Sequence, residues 1–386
     1  MEKTEKHSIN NFDSEVFKKL SDEDLYFIKS EYLTLAAADA QAYRENIEDY
    51  LQYDKTLSVG KEKNVTILLE TSSIGRYLFH LAFFFLDTGH RVFLVAKSAI
   101  IARLDVYSKK LFPLNNFFLL FTVNSKGTIV SDSEKSHCDI LLNFNYFSKT
   151  QASSKASFPF PMHPMQYLLG RYKELHSIRE NKTKIKILFA GNLNESLYGR
   201  LSPKFGILQR HSVINKLITE LTDEEILVLD SSYTSEKIQK GEFINKLVIL
   251  DSRLGLVKPP TWLSFLSCSS FYLALPGVVN PLSHNIIESL AVGVIPITQY
   301  GHYLRPKLSD EVNSLSFDQN SLIPTIRKIL NMDSEDFSSM RDSCISQYEN
   351  HFSTQHFRNI IENRTTAIEL IFNTGHSSAA QFIRGD

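Results

Sequence analysis

The sequence predicts an α/β chain of two Rossmann-like domains facing a cleft, preceded by a helical extension. Three observations lead there. Strand-helix-strand patterns recur in both halves, at 64–96 and at 271–297. A proline-rich stretch, FPFPMHPMQY from Phe158 to Tyr167, separates the two series. The chain has 386 residues, 43% hydrophobic and 22% charged, enough for two ordinary cores in a globular composition.

Residues 1–60 read as a helical extension, with an S-x-x-D start at Ser21 and Asp24 before apolar residues at helical spacing. Asp22-Glu23-Asp24 contains a D-x-D pattern, but acids in a first turn complement the helix dipole, so it is not assigned to a metal. The first domain, 61–165, begins with a strand over Asn64–Glu70, a helix over Gly75–Asp87 closed by Gly89, and a strand over Arg91–Ala96. A helix over Ala99–Leu111 and strands over Asn116–Val123 and Asp139–Phe144 follow. The turn Thr71–Gly75 lacks the glycines of a dinucleotide fingerprint, which argues against a nicotinamide or flavin enzyme.

A linker over 166–184 contains a helix at Leu168–Glu180. The second domain, 185–352, starts with the strand Lys186–Gly191, then a polar loop holding Arg200 and Lys204, with Arg210 at the next helix start. Strands at Glu225–Leu229 and Lys246–Leu250 precede a helix at Thr261–Ser267. A strand at Ser314–Phe317 and a helix at Leu322–Leu330 complete it. Residues 353–386 read as a helix over Thr354–Phe372, without a new sheet unit, and a frayed tail from Asn373.

The most informative stretch is FYLALPGVVNPLSHNIIESLAVGVIPI, Phe271–Ile297. A buried strand, Phe271–Leu275, stops at Pro276 and Gly277. Ser283, His284 and Asn285 are alternative caps for a helix that Gly293 ends, and Val294–Ile297 is the next strand. A helix N-terminus at the carboxyl end of a parallel strand presents unpaired N–H groups to anions, where open α/β sheets bind ligands. Glu288, one turn in, could accept hydrogen bonds from sugar hydroxyls; alternatively, Asn285 and Glu288 have capping-box spacing.

The loop, the Glu and the small-residue turn of ESLAVGVIPI resemble the donor-binding motif of GT-B glycosyltransferases, and PG…SHN…ESLAVGVIPI is similar to their exostosin-like branch. The resemblance implies two domains around a cleft, a nucleotide-sugar donor in the second, an acceptor hydroxyl against the first, and a terminal helix within 353–386 that crosses back onto the first domain. It gives Glu288 the donor ribose, with Gly277, Asn280, Ser283, His284 and Asn285 around the donor. Many retaining members carry a second Glu eight positions earlier, where this chain has the uncharged Asn280. The resemblance places the donor diphosphate among Arg200, Lys204 and Arg210; exposed surface charge is the alternative for each. Glu70, at the end of the first strand, is the best-placed candidate base, and His163 in the proline-rich segment is a second catalytic candidate.

The resulting expectation is a metal-independent glycosyltransferase without a resident cofactor, acting on a glycan or lipid-linked acceptor in cell-surface polysaccharide or glycolipid assembly. The alternatives are a sugar-nucleotide epimerase or hydrolase of the same fold, and a non-catalytic nucleotide-sugar-binding scaffold. With 42 Lys plus Arg against 43 Asp plus Glu, no global field argues for nucleic acid. Cys138, Cys268 and Cys344 show neither a disulfide framework nor zinc spacing, and no His/Cys/Asp cluster has metal-ligand spacing. The charged start lacks a signal-peptide core, and the apolar run Tyr77–Leu86 is too short to span a bilayer, where about 20 residues are needed. Those aromatics could instead touch a membrane surface. The expected location is the cytoplasm, at or near the inner membrane face.

Overall fold

The computed structural model describes residues 63–71, 73–96, 100, 104–111, 114, 116–120, 127–134, 136–148, 155–233, 243–333 and 337–385. The helical extension expected over 1–60 lies outside the described residues. Contacts divide the chain into two compact units, one running up to Phe158 and resuming at Thr354–Phe382, the other Pro159–Ser353 with Ile383–Gly385. In chain order the described strands are β1 (Asn64–Leu69), β2 (Arg91–Ala96), β3 (Phe117–Leu120), β4 (Thr128–Ser131), β5 (Ile140–Asn143), β6 (Lys155–Ser157), β7 (Ile185–Gly191), β8 (Ile226–Val228), β9 (Phe243–Asp251), β10 (Ser269–Leu273), β11 (Ile295–Thr298), β12 (Leu315–Ser316) and β13 (Ile368–Ile371).

The first unit holds, among the described residues, a seven-stranded sheet in the order β3-β2-β1-β4-β5-β13-β6, with parallel pairings throughout. Parallel strands are covered on both faces, which is why β1 and β2 read as nearly continuous apolar runs. The helix Tyr77–Asp87 is buried from Tyr77 to Leu86, so its lack of a polar face reflects a core position. Phe357 of the helix Thr354–Glu362 packs edge-on against Phe85 at 5.0 Å and Phe84 at 5.6 Å. Gly89 closes the Tyr77 helix at φ +81°, a conformation that costs glycine nothing.

Four differences from the sequence reading concern this unit. β4 and β6 were not foreseen, because each is short and flanked by polar residues. The helix expected across Thr354–Phe372 stops at Glu362, and β13 follows it into the sheet between β5 and β6, with Ile368 opposite Ile140 and Leu370 opposite Leu142 and Ala156. Glu369 within β13 is held by Lys155 at 2.8 Å and by Asn143, so a charged residue sits in the strand beside its partners. Residues after Asn373 are not frayed: His376–Arg384 is a helix in which Ser378 and Ala379 are buried. Of the helix expected at Ala99–Leu111, the described part is Val106–Lys109, capped by Asp105, which accepts from the Ser108 amide at 2.7 Å.

The second unit holds a six-stranded sheet among the described residues, ordered β12-β11-β10-β7-β9-β8 and again parallel. β7 and β10 are neighbours although distant in sequence, so the strand order reverses between them. Both are buried along their lengths, apart from Gly191 at the end of β7. The helix His284–Val292 joins β10 to β11, and Gly293 ends it at φ +74°. A helix not foreseen, Ser338–His351, packs against it, with Met340, Cys344 and Tyr348 buried. The single helix expected at Leu168–Glu180 is instead Pro164–Leu168, a 3₁₀ turn at Arg171–Lys173 and Leu175–Ile178, broken at Gly170 with φ +69°.

The fold is therefore two Rossmann-like parallel sheets, each with helices, as the strand signals predicted. Among the described residues no helix is long and apolar enough to cross a membrane.

Candidate functional site

In an open parallel sheet, the loops leaving two neighbouring strands on either side of an order reversal part from each other and leave a crevice at their carboxyl ends. In the second sheet that position lies between β7, ending at Gly191, and β10, ending at Leu273. Its walls are the loop after β7, the 274–283 loop and the N-terminus of the helix His284–Val292.

Tyr272 and Asn285 join the two strands. The Tyr272 hydroxyl donates to the Ala190 carbonyl at 2.8 Å and accepts from Asn285 Nδ2 at 2.6 Å; the same amide reaches Ala190 O at 3.2 Å. Burial pushes the Tyr272 phenol well above its usual range, so it stays protonated. Asn285 therefore serves the strand ends and is not a cap. Ser283 occupies the N-cap position without a side-chain cap bond, and its hydroxyl lies 3.4 Å from the Tyr300 hydroxyl. The start of this nine-residue helix thus carries no side-chain cap bond.

Glu288 does not form the capping box. It is 1% exposed; Oε1 accepts from the His163 amide at 2.9 Å and Oε2 from Trp262 Nε1 at 2.6 Å. Burial raises its pKa to about 7, against the lowering effect of those two donors. His284 is buried beside it, with Nδ1 2.8 Å from the Pro161 carbonyl and its ring stacked on Phe160 at 5.6 Å. His163 caps the helix Pro164–Leu168, its Nδ1 accepting from the Met165 amide at 3.3 Å, and its ring meets His284 edge-on at 5.8 Å. Thus the side chain named as a catalytic candidate has a local structural task.

The 274–283 loop is held from within. Asn280 Oδ1 accepts from the Leu282 amide at 2.9 Å, and a Cβ on Gly277 would come within 2.7 Å of the Asn280 carbonyl. Only glycine fits that approach.

The three basic candidates separate. Arg200 is exposed. Lys204 is exposed and its ammonium donates to the Ile383 carbonyl. Arg210 is 7% exposed, at the start of the helix Arg210–Glu220, and belongs to the crevice wall. Its Nε and Nη2 donate to Pro276 O at 3.1 and 2.9 Å, Nη1 donates to Asn192 O at 3.1 Å, and its guanidinium lies 3.7 Å from the Tyr198 ring centroid. It joins the loops after β7 and β10.

Gln299, directly after β11, was not foreseen. Its Oε1 accepts from the Leu208 amide at 3.0 Å, while its Nε2 is buried without a hydrogen-bond partner among the described residues. Trp262, Tyr272 and Tyr300 were also missed as site residues; each reads as an ordinary apolar position in sequence, and only the long-range bonds reveal its role.

In the first unit, Glu70 follows β1 where that sheet's order reverses between β1 and β4. Its amide donates to Asp132 Oδ1 at 2.7 Å, and its Oε1 accepts from Ser136 Oγ at 3.0 Å. Among the described residues no group of three or more His, Cys, Asp or Glu could hold a metal ion.

The fold makes this chain a two-unit Rossmann-like protein whose second sheet reverses strand order between β7 and β10. Among solved structures it is similar to a glycosyltransferase from Rickettsia africae, at 12% identity over 79% of this chain and 100% of the other, with a TM-score of 0.41. It is similar to Anabaena HepE in complex with UDP, at 12% identity over 78% and 98%, TM-score 0.42. The sucrose-phosphate synthase of Thermosynechococcus elongatus gives 11% identity over 78% and 98%, TM-score 0.40. No family model matches the chain, and no curated protein sequence matches it.

Proposed function

We propose that the chain is a glycosyltransferase that takes a nucleotide sugar in the second-sheet crevice. The observation that carries this is the helix His284–Val292, which follows β10 beside β7, has no side-chain cap bond at its start and carries a carboxyl group one turn in. Uncapped amides suit a diphosphate. In this reading a remaining lone pair of the Glu288 carboxyl, a side chain 1% exposed with one protein hydrogen bond on each oxygen, takes a ribose hydroxyl. Gln299 Nε2 adds a donor without a partner among the described residues. The resemblance of ESLAVGVIPI to GT-B donor motifs supports the same reading.

Fixed donors rather than a strong acid would stabilise the leaving diphosphate, and Arg210 would hold the two loops that carry them. Glu70 is the candidate acceptor base. We further propose a glycan or lipid-linked acceptor, met in the cytoplasm or at the inner membrane face, and transfer without a metal or resident cofactor. Asn280 spends its carbonyl on the Leu282 amide, which favours a non-catalytic nucleotide-sugar-binding subunit as the second reading.

A thermal-shift screen against UDP, GDP, CMP and their sugars, followed by calorimetry on Glu288→Gln, tests the proposal. One nucleotide sugar stabilises the wild type, and the variant binds it about tenfold or more weakly, as expected for a lost charged acceptor. Unchanged affinity in Glu288→Gln would remove this carboxyl from the donor site. Turnover that persists in EDTA supports the metal-free mechanism; binding without turnover over a broad acceptor panel supports the subunit reading.

A further inference from the structure

The opposite, amino-terminal edge of the second sheet contains a cavity of about 260 Å³ lined by Arg179, Thr183, Ser270, Phe337 and Arg341, among others. Thr183 precedes β7, Ser270 is in β10 and Gly293 precedes β11, so the cavity lies at the other end of the helix whose first turn faces the crevice. The two arginines cover that helix's last carbonyls. Arg179 Nε donates to Ala291 O at 2.8 Å and Arg341 Nη1 to Gly293 O at 2.9 Å, while Arg341 Nη2 donates to Arg179 O at 2.5 Å.

Those bonds do not exhaust the donors. Arg179 Nη2 is paired with Glu349 at 2.6 Å, but no described carboxylate forms an ion pair with Arg341. Arg341 Nε and Arg179 Nη1 have no protein acceptor among the described residues, and neither do the hydroxyls of Thr183 and Ser270. Ser270 is 7% exposed. Burial, with a smaller contribution from the neighbouring Arg179, pulls the pKa of Arg341 below its usual range against the raising effect of Asp342. Two arginines and two hydroxyl-bearing residues lining one cavity offer a donor set for an anion with several oxygens. The Phe337 ring supplies an apolar wall for whatever that anion carries.

We propose that this cavity binds a phosphoryl group, as free phosphate or as a small phosphate monoester, at a site separate from the crevice. The proposal does not depend on glycosyl transfer.

The test is calorimetry on the full chain at low ionic strength with inorganic phosphate, glucose 6-phosphate and, as a control, glucose. Saturable binding of either phosphate compound and none of glucose is expected. Tighter binding of glucose 6-phosphate identifies the ester, and equal binding identifies free phosphate. Arg341→Gln should weaken binding about tenfold or more, the usual effect of losing a charged donor. Because Arg341 also covers the helix end, Ser270→Ala and Thr183→Val are measured beside it, with a several-fold loss expected and the melting temperature nearly unchanged. Absence of saturation with both phosphate compounds, or equal binding by all three variants and the wild type, would overturn the proposal.

Discussion

Glu288 is a carboxyl buried against an indole N–H and a backbone amide, and burial lifts its pKa to about 7 from the ordinary 4.5. The folded state therefore holds this proton more tightly than the unfolded state. The stabilisation is complete below about pH 4.5 and is lost as pH rises to about 7, a change on the order of 3 kcal/mol. Glu288→Gln removes the titration. The stability advantage of wild type over this variant should accordingly shrink between pH 5 and pH 7.5 in urea unfolding; a constant difference would show that the group does not titrate there. Gly277 gives a second residue-level prediction. Gly277→Ala places a Cβ against the Asn280 carbonyl and should cost about 1–3 kcal/mol through displacement of the 274–283 loop.

The elements around the crevice depend on Arg210 more than on either other basic candidate. Arg210→Ala removes donors from the carbonyls of Asn192, Leu275 and Pro276 and the cation resting on Tyr198, in a buried setting. The expected loss is about 3 kcal/mol or more. Arg200→Ala, at an exposed position, should change stability by no more than about 0.5 kcal/mol. Equilibrium unfolding of the pair separates a clamp between two loops from simple surface charge. Equal, small effects would show that the Arg210 bonds do not hold the loops.

At the scale of the whole molecule, the segment after Ser353 returns to the first unit and inserts β13 between β5 and β6. A chain cut after Ser353 loses that strand, and two strand edges are left without their partner. Circular dichroism and gel filtration should detect loss of first-unit structure and self-association. A monomer with an intact first-unit melting transition would contradict the packing described here.

The strand-helix-strand cassettes at 64–96 and 271–297 were legible in sequence because buried parallel strands must be apolar on both faces and their helices need recognisable ends. Glu288, Gly277 and Arg210 came into view only through the resemblance of their stretches to a known donor-binding motif, since local context alone favoured a helix cap for Glu288 and surface charge for Arg210. β4, β6 and β13 were not, since strands of three or four residues carry too little pattern and acquire their stability from neighbours far along the chain. Local spacing also favoured a capping box at Asn285 and Glu288, whereas tertiary packing brought in Tyr272 and Ala190 for the amide and Trp262 and His163 for the carboxyl. The sequence by itself determined two parallel α/β sheets and the helix at whose start a ligand is expected. Only the tertiary structure decided the partners of each polar group, because those bonds join residues distant in sequence and no local pattern records them.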